Sequence, residues 1–251
     1  MSGASISVIT PCRDMARFLP DAVRSVMRQA VPVQEILLVD DGSSDELATV
    51  VDALAAEGAP LRVLKGQGAG PGPARNVALA EARGDLVAFL DADDLWPADK
   101  LERQTRRLDE RPELGMVSGF VTYFEDLDPK ALAPRPGSRT ETLFHVHLGA
   151  CVYRRRLFDQ VGPFDPAFRF GEDVDLLLRL RDADVPFVIL RQVMLYYRRH
   201  EASMMQGPDP RRAKDFRLAI VKSLQRRRAA GLPPSDQASF EAYLEHKAAE
   251  A

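Results

Sequence analysis

Cysteine is scarce in this chain of 251 residues: only Cys12 and Cys151 occur, far apart in sequence. Two thiols without metal-ligand spacing exclude a disulfide-stapled scaffold and a cysteine-ligated zinc site, and they fit a reducing compartment. Long apolar runs are also missing. No stretch approaches the roughly 18 residues that a membrane-spanning helix needs, and the start, MSGASISVIT, lacks the basic region of a signal peptide. The expectation is a cytoplasmic protein, soluble or at most peripheral. Nor does one sign of charge dominate, since 34 basic side chains face 37 acidic ones for a net charge of -3. Nothing in that balance argues for nucleic acid as a partner. Finally, the glycine-rich stretch 66–72 matches neither GxGxxG nor GxxxxGK[ST], which disfavours a Rossmann dinucleotide site and a P-loop.

What the chain does have is a 45% hydrophobic composition, enough to bury a full core as one large domain or two intimately packed halves. Its first hundred residues alternate short apolar runs with amphipathic stretches. ISVIT at 6–10, EILLVD at 35–40, LRVLK at 61–65 and LVAFL at 86–90 read as strands. Phe18, Leu19, Ala22, Val23, Val26 and Met27 recur at helical spacing, a second helix starts near Ser43 with Glu46 at capping-box distance, and ARNVALAEA makes a third. That order implies an α/β fold with a largely parallel sheet and helices on both faces. Further on, a helix over 98–109 precedes a strand over 116–124, and residues 125–141 read as a mobile loop. Then come a strand over 150–153, the turn VGPFDP, a helix over 173–183, the strands PFVIL and VMLYY, a basic helix over 211–230 and a final amphipathic helix over 235–249.

Carboxylates gather where strands end. LVAFL runs straight into Asp91, Ala92, Asp93 and Asp94, at the sheet edge where open α/β folds bind ligands. Three carboxylates within four residues repel one another unless a cation sits among them, and hard oxygen ligands suit Mg2+ or Mn2+. The alternative is a solvated acidic turn that caps the next helix, which Pro97 opens, with Asp94 as the capping residue. EILLVD likewise ends in Asp40 and Asp41, and an ionised carboxylate there can accept the imide N–H of a uracil or thymine ring. Glycines in 66–72 let backbone approach a nucleotide, with Arg75 near enough to contact base or diphosphate. GEDVDLLLRL puts Glu172, Asp173 and Asp175 in a first helical turn, more acids than a cap requires. A helix N-terminus keeps a carboxylate ionised, the state a general base needs. His145 and His147 have no third ligand nearby to make a zinc site. His200 follows the last core strand, where an imidazole ligates a divalent ion, touches a diphosphate or simply faces solvent. Arg226, Arg227 and Arg228 read as a solvated helix face, with attraction to anionic lipid as the alternative.

Taken in order, SVITPCRD, EILLVDDGSSD, GPARNVALAEARGDLVAFLDADDLW, VGPFDPAFRFGEDVDLLLRL and YYRRHEAS resemble the motifs of the family 2 glycosyltransferases with a GT-A fold, over residues 5–203. The resemblance implies a Rossmann-like, mainly parallel sheet flanked by helices, and inverting transfer of a sugar from a nucleotide diphosphate donor, usually UDP-linked, with Mn2+ or Mg2+. It also implies residue roles. Thr10, Pro11, Asp41, Arg75, Asp91, Ala92 and Asp93 would bind the nucleotide sugar. Asp93, with Asp91 and His200, would hold the metal. Asp173, beside Glu172, takes the place of the catalytic base. The division expected is a glycosyltransferase domain over 1–205, donor-binding in 1–96 and acceptor-binding in 97–205, with a C-terminal helical extension over 206–251. The partners implied are a nucleotide-sugar donor and a glycan, lipid-linked or other hydroxyl acceptor, with peripheral membrane contact as a further expectation. No QxxRW motif is present, which favours single addition over processive synthesis. A nucleotidyltransferase would carry a basic glycine-rich signature after the first strand, where PCRDMARF stands instead. An inactive nucleotide-binding module would have eroded motifs, whereas Asp41, Asp91, Asp93 and Asp173 are all intact.

Overall fold

The structure, a computed structural model, describes residues 3–144, 147–204 and 207–233. His145 and the helix expected over 235–249 lie outside the described residues. Four apolar runs of the first ninety residues become β1 (Ile6–Cys12), β2 (Glu35–Asp40), β3 (Leu61–Lys65) and β4 (Leu86–Phe89), linked by α1 (Leu19–Met27), α2 (Leu47–Ala56) and α3 (Pro71–Glu81). β1 pairs in parallel with β2 and β4, and β2 with β3, because a helical crossover returns each strand in the same direction. The second half adds α4 (Lys100–Glu110), β5 (Met116–Phe124), the short pair β6 (Leu127–Asp128) and β7 (Ala133–Pro134), β8 (Thr140–Leu143), β9 (Val152–Arg154), α5 (Leu157–Val161), α6 (Glu172–Asp182), β10 (Phe187–Arg198) and α7 (Pro210–Ala229).

The eight-stranded sheet runs β10-β5-β9-β4-β1-β2-β3, with β8 on β5. β9 is antiparallel to both its neighbours and β8 to β5, while the rest is parallel. Alternate residues serve opposite faces: Ile6, Val8, Leu38 and Ala88 face the core that holds Trp96, and Ile9, Leu37, Val39 and Phe89 face the core that holds Phe164 and Leu176. Both faces are covered, which is why these strands read as continuous apolar runs and not as alternation. Among the described residues no helix is long and apolar enough to cross a membrane.

Local chemistry moves several boundaries. β1 continues through Pro11 to Cys12, paired to β2. Pairing with β4 stops at Ile9, so the proline leaves no gap in a ladder on that side. α2 starts at Leu47 without a side-chain cap; Ser43 instead accepts from Asp14 N at 3.1 Å and donates its own N–H to Asp40 at 2.8 Å. Asp94 does not cap the next helix either. It is buried, and its Oδ1 accepts from Arg198 N at 2.9 Å. The entry to α4 is held from α1 and the turn after it: Ser25 Oγ accepts from Trp96 N at 3.1 Å, and Gln29 bonds Pro97 O at 2.8 Å and Leu101 N at 3.0 Å. PFVIL and VMLYY form one strand, β10, with register shifts around Val193. The stretch 125–141 is not a featureless loop, because β6 and β7 pair within it and β8 begins in it. Nor is the arginine triplet wholly solvated: Arg226 and Arg227 reach Asp182 at 3.1 and 3.5 Å, which docks α7 on α6.

Candidate active site

The carboxyl ends of β1, β2 and β4 and the amino end of α6 meet around a cavity of about 820 Å³. Pro11, Asp41, Arg75, Asp91, Ala92, Asp93, Glu172 and Asp173, far apart in sequence, all line it. Thr10 is buried in β1 just behind Pro11, and His200 stands behind Asp93.

On the β2 side the chain turns at Gly42 with φ +91, and Asp41 points under the glycine-rich loop. Its Oδ1 accepts from Gly68 N at 2.8 Å and its Oδ2 from Gly70 N at 2.7 Å. A carboxylate offers about four lone-pair sites, so Asp41 holds the loop in place and retains acceptor capacity. A Cβ at Gly66 would lie 2.5 Å from Asp41 Oδ1 and 2.9 Å from its Cα, so only glycine lets the loop sit this close.

Arg75, on α3, is buried beneath the cavity floor and joins the two acidic motifs. Its Nη2 donates to Asp91 Oδ1 and its Nη1 to Glu172 Oε1, each at 2.6 Å. Burial opposes its charge, but the two carboxylates outweigh that and raise its pKa further above the ordinary arginine value. Burial likewise opposes ionisation of Asp91, yet Arg75 and His147 bring its pKa below the usual carboxylate value. Glu172 is pushed upward by burial, with Arg75 pulling the other way and Asp173 adding to the rise. One cation shared between two carboxylates beside a third leaves the cluster net negative.

The amino end of α6 is braced from two directions. Asn76 on α3 donates to Phe164 O at 2.7 Å and accepts from Phe164 N at 2.8 Å. Asp215 on α7 accepts from the backbone N–H groups of Arg169 and Phe170, both at 3.0 Å. Gly171, with φ +71, then turns the chain into the helix, and Asp173 Oδ1 accepts from Val174 N at 2.8 Å. Three remote side chains, Asn76, Arg75 and Asp215, thus fix where Glu172 and Asp173 stand.

The aspartates of the tetrad diverge. Asp93 Oδ2 meets His200 Nε2 at 2.8 Å, and the His200 ring packs on Phe18 with centroids 4.3 Å apart. Asp94 turns into the protein, where burial, Asp93 and Asp91 together raise its pKa well above the carboxylate range. Asp91, Asp94 and His147 each bring one ligand atom within 4.8 Å of the others. Hard carboxylate oxygens with one imidazole suit Mn2+ or Mg2+, and a buried acid crowded by two others is the group a divalent charge relieves most. The donor set therefore fits a divalent cation; of the expected ligands Asp91 belongs to it, while Asp93 and His200 bond each other. Sequence reasoning weighed His147 only with His145, on one side of a possible strand, and found no third ligand nearby; Asp91 and Asp94 are distant in sequence and reach it through the fold.

Comparison with known proteins agrees with this arrangement. The model of Glycosyl transferase family 2 matches residues 7–169. TuaG of Bacillus subtilis strain 168, a glycosyltransferase named for teichuronic acid biosynthesis, is 35% identical over 180 residues, 70% of this chain and 71% of TuaG. WfgD of Escherichia coli, a UDP-Glc:alpha-D-GlcNAc-diphosphoundecaprenol beta-1,3-glucosyltransferase, is 28% identical over 204 residues, 79% of each chain. EpsJ of Bacillus subtilis strain 168, an uncharacterized glycosyltransferase, is 28% identical over 81% of this chain, which spans only 63% of EpsJ. Among solved structures, Staphylococcus aureus TarS 1-349 in complex with UDP-GlcNAc superposes with a TM-score of 0.68 at 21% identity, over 88% of this chain and 66% of that one. The mannosyltransferase PcManGT of Pyrobaculum calidifontis, in complex with GDP-Man and Mn2+, gives 0.69 at 20% identity, over 98% and 69%. At such identities the superpositions speak for the fold alone, whereas the family match covers well over half the chain. A GT-A sheet whose acidic motifs converge on one cavity, within a sequence that the family model spans, makes this chain a member of glycosyltransferase family 2.

Proposed function

We propose that the chain transfers a sugar from a UDP-linked donor to a hydroxyl acceptor with inversion at the anomeric carbon, assisted by Mn2+ or Mg2+, in the synthesis of a glycan or glycoconjugate. The observation that carries this reading is the convergence of Asp41, Asp91, Asp93, Arg75 and the Glu172-Asp173 pair on one cavity. The donor half, 1–96, supplies the nucleotide end. Asp41, held against the glycine-rich loop, accepts the imide N–H of the base, with Thr10 and Pro11 forming the floor beneath it. Arg75 holds Asp91 and Glu172 in position and favours the ionised form of each.

Asp91, Asp94 and His147 are side chains that would hold the cation, and Asp93, bonded to His200, is the further ligand expected from the family motif. When bound, the cation neutralises charge developing on the leaving diphosphate. Asp173, at the amino end of α6, takes the proton from the acceptor hydroxyl, on the face of the sugar ring opposite the departing nucleotide. Glu172 holds its neighbour's backbone in place through its bond to Arg75. The acceptor half, 97–205, presents the rest of the cavity wall, and Arg212 and Phe216 of α7 line it from the other side.

The name of TuaG, with its teichuronic acid, supports a glycan acceptor, and that of WfgD, with its diphosphoundecaprenol-linked acceptor, supports a lipid-linked one and with it peripheral contact with a membrane. A thermal-shift screen of UDP- and GDP-sugars with and without Mn2+ tests the proposal. Selective, Mn2+-dependent stabilisation by a UDP-sugar is expected; a flat response to every donor would count against catalysis by this cavity.

A further inference from the structure

Six of the large apolar side chains that remain exposed fall between residues 204 and 232: Met204, Phe216, Ile220, Val221, Leu224 and Leu232. Four of them belong to α7, where Phe216, Ile220 and Leu224 repeat every four residues and Val221 lies alongside, each between 38% and 49% exposed. Helical spacing puts them on one face. Lys214, Arg217 and Arg228 are exposed on that face as well, and among the described residues none of the three has a carboxylate at salt-bridge distance. The opposite face is the docked one. Asp215, the only acid of α7, is buried under the Arg169-Phe170 backbone. Lys222 pairs with Asp165, and Arg226 and Arg227 pair with Asp182.

This sorting separates two kinds of basic residue. Of the triplet that reads in the sequence as a solvated face, with lipid attraction as the alternative, Arg226 and Arg227 are used to dock α7 on α6. The ones left outward are interleaved with apolar side chains and, among the described residues, have no carboxylate at salt-bridge distance. An apolar stripe edged by unpaired cations is the composition of a helix that lies in the headgroup region of an anionic bilayer.

We propose that the outward face of α7 docks on the surface of an anionic lipid bilayer, with Ile220, Val221, Leu224 and Phe216 entering the headgroup boundary and Lys214, Arg217 and Arg228 meeting lipid phosphates. Phe216 and Met204 also line the rim of the cavity, so docking would set that rim against the membrane, within reach of a lipid-linked acceptor. The identity of the acceptor rests on the transferase reading; the docking does not, and it is measured without turnover.

The test is co-sedimentation of the full chain with vesicles of phosphatidylcholine alone or mixed with phosphatidylglycerol, in the absence of donor. Binding to the phosphatidylglycerol vesicles is expected, weakening as salt is raised. Lys214→Ala with Arg217→Ala should weaken it by about thirtyfold, taking the usual contribution of a basic side chain near an anionic surface. Ile220→Ser, Val221→Ser and Leu224→Ser together should abolish it. Equal, weak partitioning to both vesicle types overturns the proposal. So does a dimer in sedimentation velocity that the triple serine variant dissociates, which would give the face to a second copy. A lowered melting temperature of that variant with unchanged vesicle binding would assign the stripe to packing within the chain, and also overturns it.

Discussion

Arg75 stands between Asp91 and Glu172, one guanidinium nitrogen 2.6 Å from each carboxylate. The pair of bonds links the end of β4 to the start of α6 through a side chain of α3, so three elements of the candidate site share one buried cation. Arg75→Met would leave two carboxylates facing each other without it. A loss of about 3 kcal/mol in stability is expected, with transfer falling to background. Arg75→Lys keeps the charge but cannot fork, so it should recover much of the stability and little of the activity. Chemical denaturation and donor turnover, measured side by side, check both.

On the proposed mechanism Asp173 is the base and Asp93 belongs to the electrophilic side, so their variants should fail differently. Asp173→Asn should leave donor affinity within about twofold while lowering kcat by about 10²–10⁴. Asp93→Ala should instead remove the response to Mn2+, both in donor binding and in turnover. EDTA should silence the wild type, with Mn2+ or Mg2+ restoring it. Calorimetric titration of a UDP-sugar, with and without Mn2+, distinguishes the two variants; unchanged transfer in either one removes that residue's role.

Gly66→Ala tests the nucleotide end of the cavity. The added methyl would press on Asp41, whose two oxygens bind Gly68 and Gly70. Donor KM should rise by about tenfold with kcat little changed, the signature of lost uniform binding. A fall in kcat at unaltered KM would place the loop's importance elsewhere.

Lys100 makes stability depend on pH. It is fully buried, over the Trp96 ring at 4.6 Å and bonded to Gln104 and Cys151 O, and burial lowers its pKa to about 7. Between that value and the ordinary 10.5 the unfolded chain binds a proton that the folded one does not, so stability rises with pH across this window, by up to about 1.4 kcal/mol per pH unit. Below pH 7 the full penalty is present. Lys100→Met should flatten this rise relative to the wild type, whatever its effect at a single pH. Denaturant midpoints collected from pH 7 to above pH 9 provide the check.

The sheet and the position of the acidic motifs were legible in the chain because they depend on local pattern. Short apolar runs specify strands, crossover helices force parallel pairing, and residues after LVAFL and EILLVD must then emerge at one edge. Side-chain direction was not legible. Nothing in DADD tells that Asp94 turns inward to Arg198 N while Asp93 reaches His200. Arg75 finds partners 16 and 97 residues away, and a choice between nucleotide and carboxylate is made by packing, not by spacing. The same holds for Asn76, whose amide brackets Phe164, and for Gln29, which takes over the helix entry that Asp94 was expected to cap.

β9 lies between β4 and β5 in the sheet yet follows both in the chain. A ribosome delivers β4 long before Val152, so the outer edge of β4, apolar on both faces, waits unpaired while the intervening segment is made. The first four strands are therefore not a self-sufficient unit, and a fragment that stops short of β9 should associate edge to edge instead of holding nucleotide. Synthesis runs on from Phe89 to Val152, about a quarter of the chain, before a three-residue strand joins β4 to β5. Until that moment the nascent protein is most in need of a chaperone.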